Sequence, residues 1–250
     1  EYLTIIYLIE IDLFIKMKKN IIIFGSNGGL GKEILSGLLK LDANFYLSVK
    51  NKQGKTNLLK NFNSIEKKKI KLLEVCDFSN LKSIDFFFKK LKKKVKKIHL
   101  SFICIGHFEY DDIKKINYDK LLLTFQINLF SNIIITKNLI KFSNKKETLK
   151  IFHIGSTSSY EGFENTTYYC AAKHGLVGAI KSINKETSKY NIINYLISMG
   201  SMKTKMGKKV KNQNYESFLE TKKISDFIIH LAFLEFNGYA EQVLIKRLTK

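Results

Sequence analysis

Tyr169 and Lys173 stand four residues apart and have the types needed for proton-transfer chemistry. On a helix, that spacing makes them neighbours, with roughly 5–6 Å between Cβ atoms. A free phenol ionises near pH 10, and a nearby ammonium favours the phenolate. The pair can then exchange a proton as a general acid and base. Ser156 lies thirteen residues before Tyr169, after the strand-like run Ile151-Phe152-His153-Ile154 and Gly155. A residue at the carboxyl end of a strand faces the ligand crevice of an open α/β sheet. Its hydroxyl can hold a substrate oxygen beside Tyr169. Near the start of the chain, Gly25-Ser26-Asn27-Gly28-Gly29-Leu30-Gly31 follows the apolar run Asn20–Phe24 and precedes a helical pattern. Glycines permit positive φ and close backbone approach. The helix N-terminus offers free N–H groups and a positive dipole end to phosphate. A dinucleotide at the first motif and a proton donor at the second describe hydride transfer coupled to proton transfer.

These groups need a scaffold that brings residue 25 near residue 169. Strand-like runs recur at 20–24, 44–49, 70–75, 98–105, 149–154 and 192–197, with a final run at 242–245. Helical patterns fill the gaps. The alternation predicts an α/β fold: one Rossmann-like, doubly wound parallel sheet of about seven strands with helices on both faces. A chain of 250 residues with 45% apolar content can form one such domain. We expect a dinucleotide-binding domain over 17–250. Residues 1–16, apolar but interrupted by Glu1, Glu10 and Asp12, are expected to be an extension outside it. They lack a basic n-region and cleavage site, and they are short for a membrane span.

With these motifs in order, the chain resembles the short-chain dehydrogenase/reductase family. The Gly-x-x-x-Gly-x-Gly turn falls at Gly25, Gly29 and Gly31, and the Ser, Tyr-x-x-x-Lys set at Ser156, Tyr169 and Lys173. Asn128 matches the asparagine completing the family's tetrad, Asp77 the aspartate that contacts adenine, and Gly106 the end of the Asn-Asn-Ala-Gly motif. Gly200 and Thr204 match the segment over the nicotinamide. The resemblance covers about residues 18–206. It implies that Asn128, Ser156, Tyr169 and Lys173 are catalytic, with Asn128 anchoring a relay water. It implies that Gly25–Gly31, Lys50, Asp77, Gly106, Tyr169, Lys173, Gly200 and Thr204 bind a nicotinamide cofactor. Several positions depart from the family pattern. Phe24 replaces a threonine, Gly155 a serine, and Ile103-Cys104-Ile105 stands for Asn-Asn-Ala, removing a side-chain brace of the sheet. Met199 replaces the proline before Gly200, which predicts a looser turn. The second strand ends at Val49 without an acid, and Lys50 follows. An acid there would bind the ribose 2′-hydroxyl of NAD, whereas a cation meets the 2′-phosphate of NADP, so NADP(H) is favoured over NAD(H).

The formal net charge of +21 does not by itself imply nucleic acid. Arg247 is the only arginine among 43 basic residues, and base and phosphate readers favour arginine's planar fork. Proline and tryptophan are absent while Lys, Asn, Ile and Phe abound, a pattern fitting an AT-rich genome. No nucleic-acid or membrane partner is expected. Cys76, Cys104 and Cys170 have no metal-ligand spacing, so no metal is expected, and free thiols fit a reducing cytoplasm.

The leading expectation is an NADP(H)-dependent oxidoreductase acting on a carbonyl/alcohol pair, with a 3-oxoacyl-type or other ketone as substrate. The alternative is a non-catalytic nucleotide-binding or scaffold protein on the same fold. Small residues at Ala171, Gly175, Gly178 and Ser182 on the Tyr169 helix suggest close approach of a second copy, and family members pair through that helix. A homodimer or homotetramer is expected. The segment expected to form a lid, residues 201–214, carries Lys203, Lys205, Lys208, Lys209 and Lys211, a cationic rim suited to an anionic substrate.

Overall fold

A computed structural model describes residues 18–211, 213–235 and 237–248; the extension expected over residues 1–16 lies outside them. The strands are β1 (Lys19–Phe24), β2 (Ala43–Val49), β3 (Ile70–Val75), β4 (Leu100–Ile103), β5 (Leu149–Ile154), β6 (Ile192–Met199) and β7 (Gln242–Ile245). All seven are parallel, in the order β3-β2-β1-β4-β5-β6-β7. Such a sheet is apolar on both faces because helical crossovers must cover each side. In β1, Ile21 and Ile23 face one layer while Ile22 and Phe24 face the other, and all four are buried.

On the first face pack α1 (Gly29–Leu38), α2 (Lys52–Lys60) and α8 (Thr221–Phe233). Ile34, Leu35 and Leu38 meet Ile224 and Ile228 in that layer. The second face carries α4 (Leu81–Lys92), α6 (Ser131–Leu139) and α7 (Thr167–Thr187). There Ile84, Phe87, Phe88 and Leu91 pack with Ile135 and Leu139, while Leu176 and Ile180 lie against Leu196. A short α3 (Ser64–Lys69) precedes β3, and α5 (Tyr118–Phe125) runs through a π-type turn, Gln126–Phe130, into α6. Across the sheet, Phe102, Phe152 and Tyr195 stack, with centroids 5.1 Å and 4.5 Å apart.

The sequence order reverses between β1 and β4, so chains leaving their carboxyl ends part and open a crevice. Met199 does not loosen the segment before Gly200. It is buried, pairs with Ile245 and extends β6, and the Gly200 N–H donates to the Ile245 carbonyl at 3.0 Å. Without a proline, the strand continues to its edge partner.

Candidate active site

The turn after β1 is shaped by contacts that leave no room for side chains. Gly25 has φ +75°, and a Cβ there would lie 2.7 Å from the Cys104 carbonyl oxygen. A Cβ on Gly31 would collide with the Gly25 carbonyl, and one on Gly29 would lie 2.5 Å from Thr204 Cγ2. Ser26 is buried and donates its hydroxyl to the Ser48 carbonyl at 2.8 Å, so it pins the turn to β2. Gly28 caps α1 without any side-chain hydrogen bond. The first N–H groups of that helix are therefore open to an anion, which fits a dinucleotide phosphate.

A cavity of about 1080 Å³ runs from Asn27, Gly28 and Gly29, past Gly106 and Gly200, to Ser156, Tyr169 and Lys173. Asn27, Leu30, Cys104 and Thr204 line it too. Lys50 and Asp77 do not. Lys50 is exposed, but its charge acts on the His107 imidazole beside the crevice. Asp77 is exposed and accepts from the Ser79 N–H at 3.0 Å and the Ser79 hydroxyl at 2.7 Å, organising the turn into α4.

On α7, Tyr169 and Lys173 are both buried. The Lys173 Nζ donates to the Ile154 carbonyl at 2.8 Å and lies 5.9 Å from the Tyr169 ring centroid. Burial brings the Lys173 pKa down to about 8. Burial also pushes the Tyr169 phenol up to about 12, against the smaller lowering effect of its hydrogen bond with Ser156. The expected depression of the phenol is absent from this structure: desolvation raises it, and the Lys173 ammonium is turned toward a backbone carbonyl. Tyr169 holds its proton at neutral pH, as a donor must. Phe108 packs edge-on against its ring at 4.9 Å.

Asn128 sits in the π-type turn, fully buried. Its Nδ2 donates to the His107 carbonyl at 2.7 Å and the Thr124 carbonyl at 2.9 Å, and its Oδ1 accepts the His107 N–H at 3.2 Å. The side chain ties the segment after β4 to the helix, and the Asn128 carbonyl accepts from Asn132 Nδ2 at 3.1 Å. Behind it, His153 contacts Asn132 Oδ1 at 3.0 Å and Asn194 Oδ1 at 3.2 Å, and burial lowers its pKa to about 4. Sequence reading passed over this polar layer because its members are 21 and 41 residues apart.

The lid lysines are largely engaged. Lys203 pairs with Glu216 and Glu220 at 3.0 and 2.7 Å. Lys208 lies 5.5 Å from the Tyr215 ring centroid and Lys211 5.6 Å from that of Tyr110, while Lys209 donates to the Phe108 carbonyl at 3.4 Å. Lys205 and Lys211 line the cavity, joined by Lys246 and Arg247 from the end of β7. Sequence reading had not assigned those last two to the site. Arg247 holds the lid by donating to Gln213 Oε1 at 2.7 Å and Ser217 Oγ at 3.3 Å. Among the described residues, no cluster of His, Cys, Asp and Glu could hold a metal, and no helix is long and apolar enough to cross a membrane. Of the small residues on α7, Gly175 is covered by Leu129, while Ala171, Gly178 and Ser182 are exposed.

Residues 19–215 match the profile of the short chain dehydrogenase family. The chain is 28% identical over 228 residues to the 3-oxoacyl-(acyl-carrier-protein) reductase FabG of Buchnera aphidicola, covering 84% of this chain and 88% of that protein. It is 25% identical over 211 residues to L-rhamnose 1-dehydrogenase (NADP(+)) of Thermoplasma acidophilum, covering 82% of each. Its fold matches a dehydrogenase/reductase from Sinorhizobium meliloti with a TM-score of 0.79 at 15% identity, covering 93% of this chain and 95% of that one. The chain belongs to the short-chain dehydrogenase/reductase family and is an NAD(P)-dependent oxidoreductase.

Proposed function

We propose that this enzyme transfers hydride between NADP(H) and a carbonyl/alcohol substrate, with Asn128, Ser156, Tyr169 and Lys173 as its catalytic residues. The observation that carries the reading is the convergence of Ser156, Tyr169 and Lys173 on one end of a cavity whose other end is the glycine turn. When bound, the cofactor supplies the hydride. Ser156 holds the substrate oxygen beside the Tyr169 hydroxyl. Tyr169, protonated at neutral pH, donates its proton to that oxygen during reduction and takes it back during oxidation. Lys173 lines the cavity wall, where its ammonium would hold the nicotinamide ribose. Asn128 keeps the segment after β4 against the π-type turn, setting the floor of the pocket.

Lys50 supports NADP(H) over NAD(H), because no acid ends β2 and a cation stands there. The FabG relatives, which are 3-oxoacyl-(acyl-carrier-protein) reductases, support reduction of a 3-oxoacyl-type ketone, and the L-rhamnose 1-dehydrogenase (NADP(+)) relative supports NADP as cofactor. The basic groups Lys205, Lys211 and Arg247 on the cavity support an anionic substrate, while Lys246 is paired with Glu161. The exposed stripe of Ala171, Gly178 and Ser182 supports a homodimer or homotetramer formed through α7, and the three free thiols fit a reducing cytoplasm. A panel of ketones and aldehydes, including a 3-oxoacyl thioester, assayed with NADPH and NADH side by side tests the reading. Oxidation of NADPH with at least one ketone, faster than that of NADH, is expected; cofactor binding without turnover across the panel contradicts it.

A further inference from the structure

Beside the groups assigned above, a constellation of polar side chains joins the segment after β4 to the start of α7. The Tyr168 hydroxyl donates to Asp111 Oδ2, and Lys120 Nζ donates to the same oxygen at 2.8 Å. The Asp111 N–H donates to the Asn165 carbonyl at 2.9 Å, and Asn165 Nδ2 donates to the Tyr110 hydroxyl at 3.3 Å. Tyr168 is 2% exposed, so a core phenol of the catalytic helix reaches out to a carboxylate on a loop. The bonds from Lys120 and Tyr168 draw the Asp111 carboxyl below its ordinary range, while desolvation, ahead of the bond to Asp111, raises the Tyr168 phenol.

The segment so anchored carries two walls of the substrate end. Phe108 lies edge-on to Tyr169, and Tyr110 lines the cavity. The lid reaches the same segment through Lys209 on the Phe108 carbonyl and Lys211 over the Tyr110 ring. Neighbouring positions on a helix point about 100° apart. Tyr169 therefore faces the cavity while Tyr168 faces the segment that walls it.

We propose that Tyr168 and Asp111 form a latch that fixes the wall carrying Phe108 and Tyr110 against Tyr169, making Tyr168 a positioning residue for the carbonyl substrate. The kinetic part rests on the reductase reading above. Positioning matters because a misplacement of about 1 Å can cost on the order of 100-fold in rate. The bond is charge-assisted, hence stronger than a neutral one. Its two ends are 57 residues apart, so the latch spans structure that local bonds do not join.

Tyr168→Phe keeps the ring and removes the hydroxyl. Hydrogen exchange in residues 108–116 is expected to accelerate on the order of 10-fold or more. KM for ketones large enough to touch Phe108 and Tyr110 should rise on the order of 10-fold, with a smaller change in kcat and a smaller effect on acetone. Asp111→Ala should give at least the same exchange effect. The double variant should match Asp111→Ala alone, since Tyr168 acts through that carboxylate. Wild-type exchange in Tyr168→Phe, or losses that simply add in the double variant, would overturn the latch. If the wild-type enzyme reduces no carbonyl compound, the reductase reading falls while the exchange measurement still decides the latch.

Discussion

Lys173 lets stability and function be separated by pH. Its ammonium is buried and bonded to the Ile154 carbonyl, and burial brings its pKa from 10.5 down to about 8. Keeping this group charged costs the folded state about 3 kcal/mol. The native state binds fewer protons than the unfolded one between the two pKa values. Stability from this group therefore rises with pH across that window, and the penalty stays complete well below pH 8. It falls from about 3 kcal/mol at pH 6 to about 2 at pH 9 and about 1 at pH 10. Lys173→Met removes the charge while keeping much of the volume. The stability difference between wild type and variant should then move by about 2 kcal/mol in favour of wild type from pH 7 to pH 10. Losses from packing or from the Ile154 carbonyl shift that difference at every pH but not its slope. Urea unfolding of both proteins at pH 7, 8, 9 and 10 measures it. A pH-independent difference would show that Lys173 is not desolvated, and would refute the reasoning.

Two further outcomes follow from the cofactor end. Gly31→Ala should destabilise the fold by about 1–3 kcal/mol, because the new Cβ meets the rigid Gly25 carbonyl. It should also weaken NADPH binding, as read by thermal denaturation with and without nucleotide. Lys50→Glu should lower affinity for NADPH and raise it for NADH, reversing the preference; unchanged Kd values for both would remove Lys50 from cofactor selection.

Much of this architecture was legible because it is local. The runs that became β1, β5 and β6 are rich in Ile, Leu and Phe, and their ends fell within two residues of the expected positions. The glycine turn was legible because backbone contact at Gly25 and Gly31 excludes side chains, which leaves a mark in composition. The spacing of Tyr169 and Lys173 required only a helix. What was hidden depends on long-range geometry. That Lys173 turns to Ile154 and that burial dominates Tyr169 follow from packing, which the i,i+4 spacing does not encode. The lid lysines read as a free cationic rim because Glu216, Glu220, Phe108 and Tyr110 come to them from elsewhere. Tyr168 was masked by its neighbour: one position of a helix apart, the two tyrosines face different surroundings.

The claim at the centre of this account is that the Tyr169 hydroxyl moves the proton. The direct measurement is turnover of a ketone with NADPH by wild type and Tyr169→Phe at neutral pH, beside NADPH affinity for both. The account predicts that the variant still binds NADPH and loses on the order of 100- to 10,000-fold in kcat. Turnover by Tyr169→Phe near the wild-type rate would contradict it.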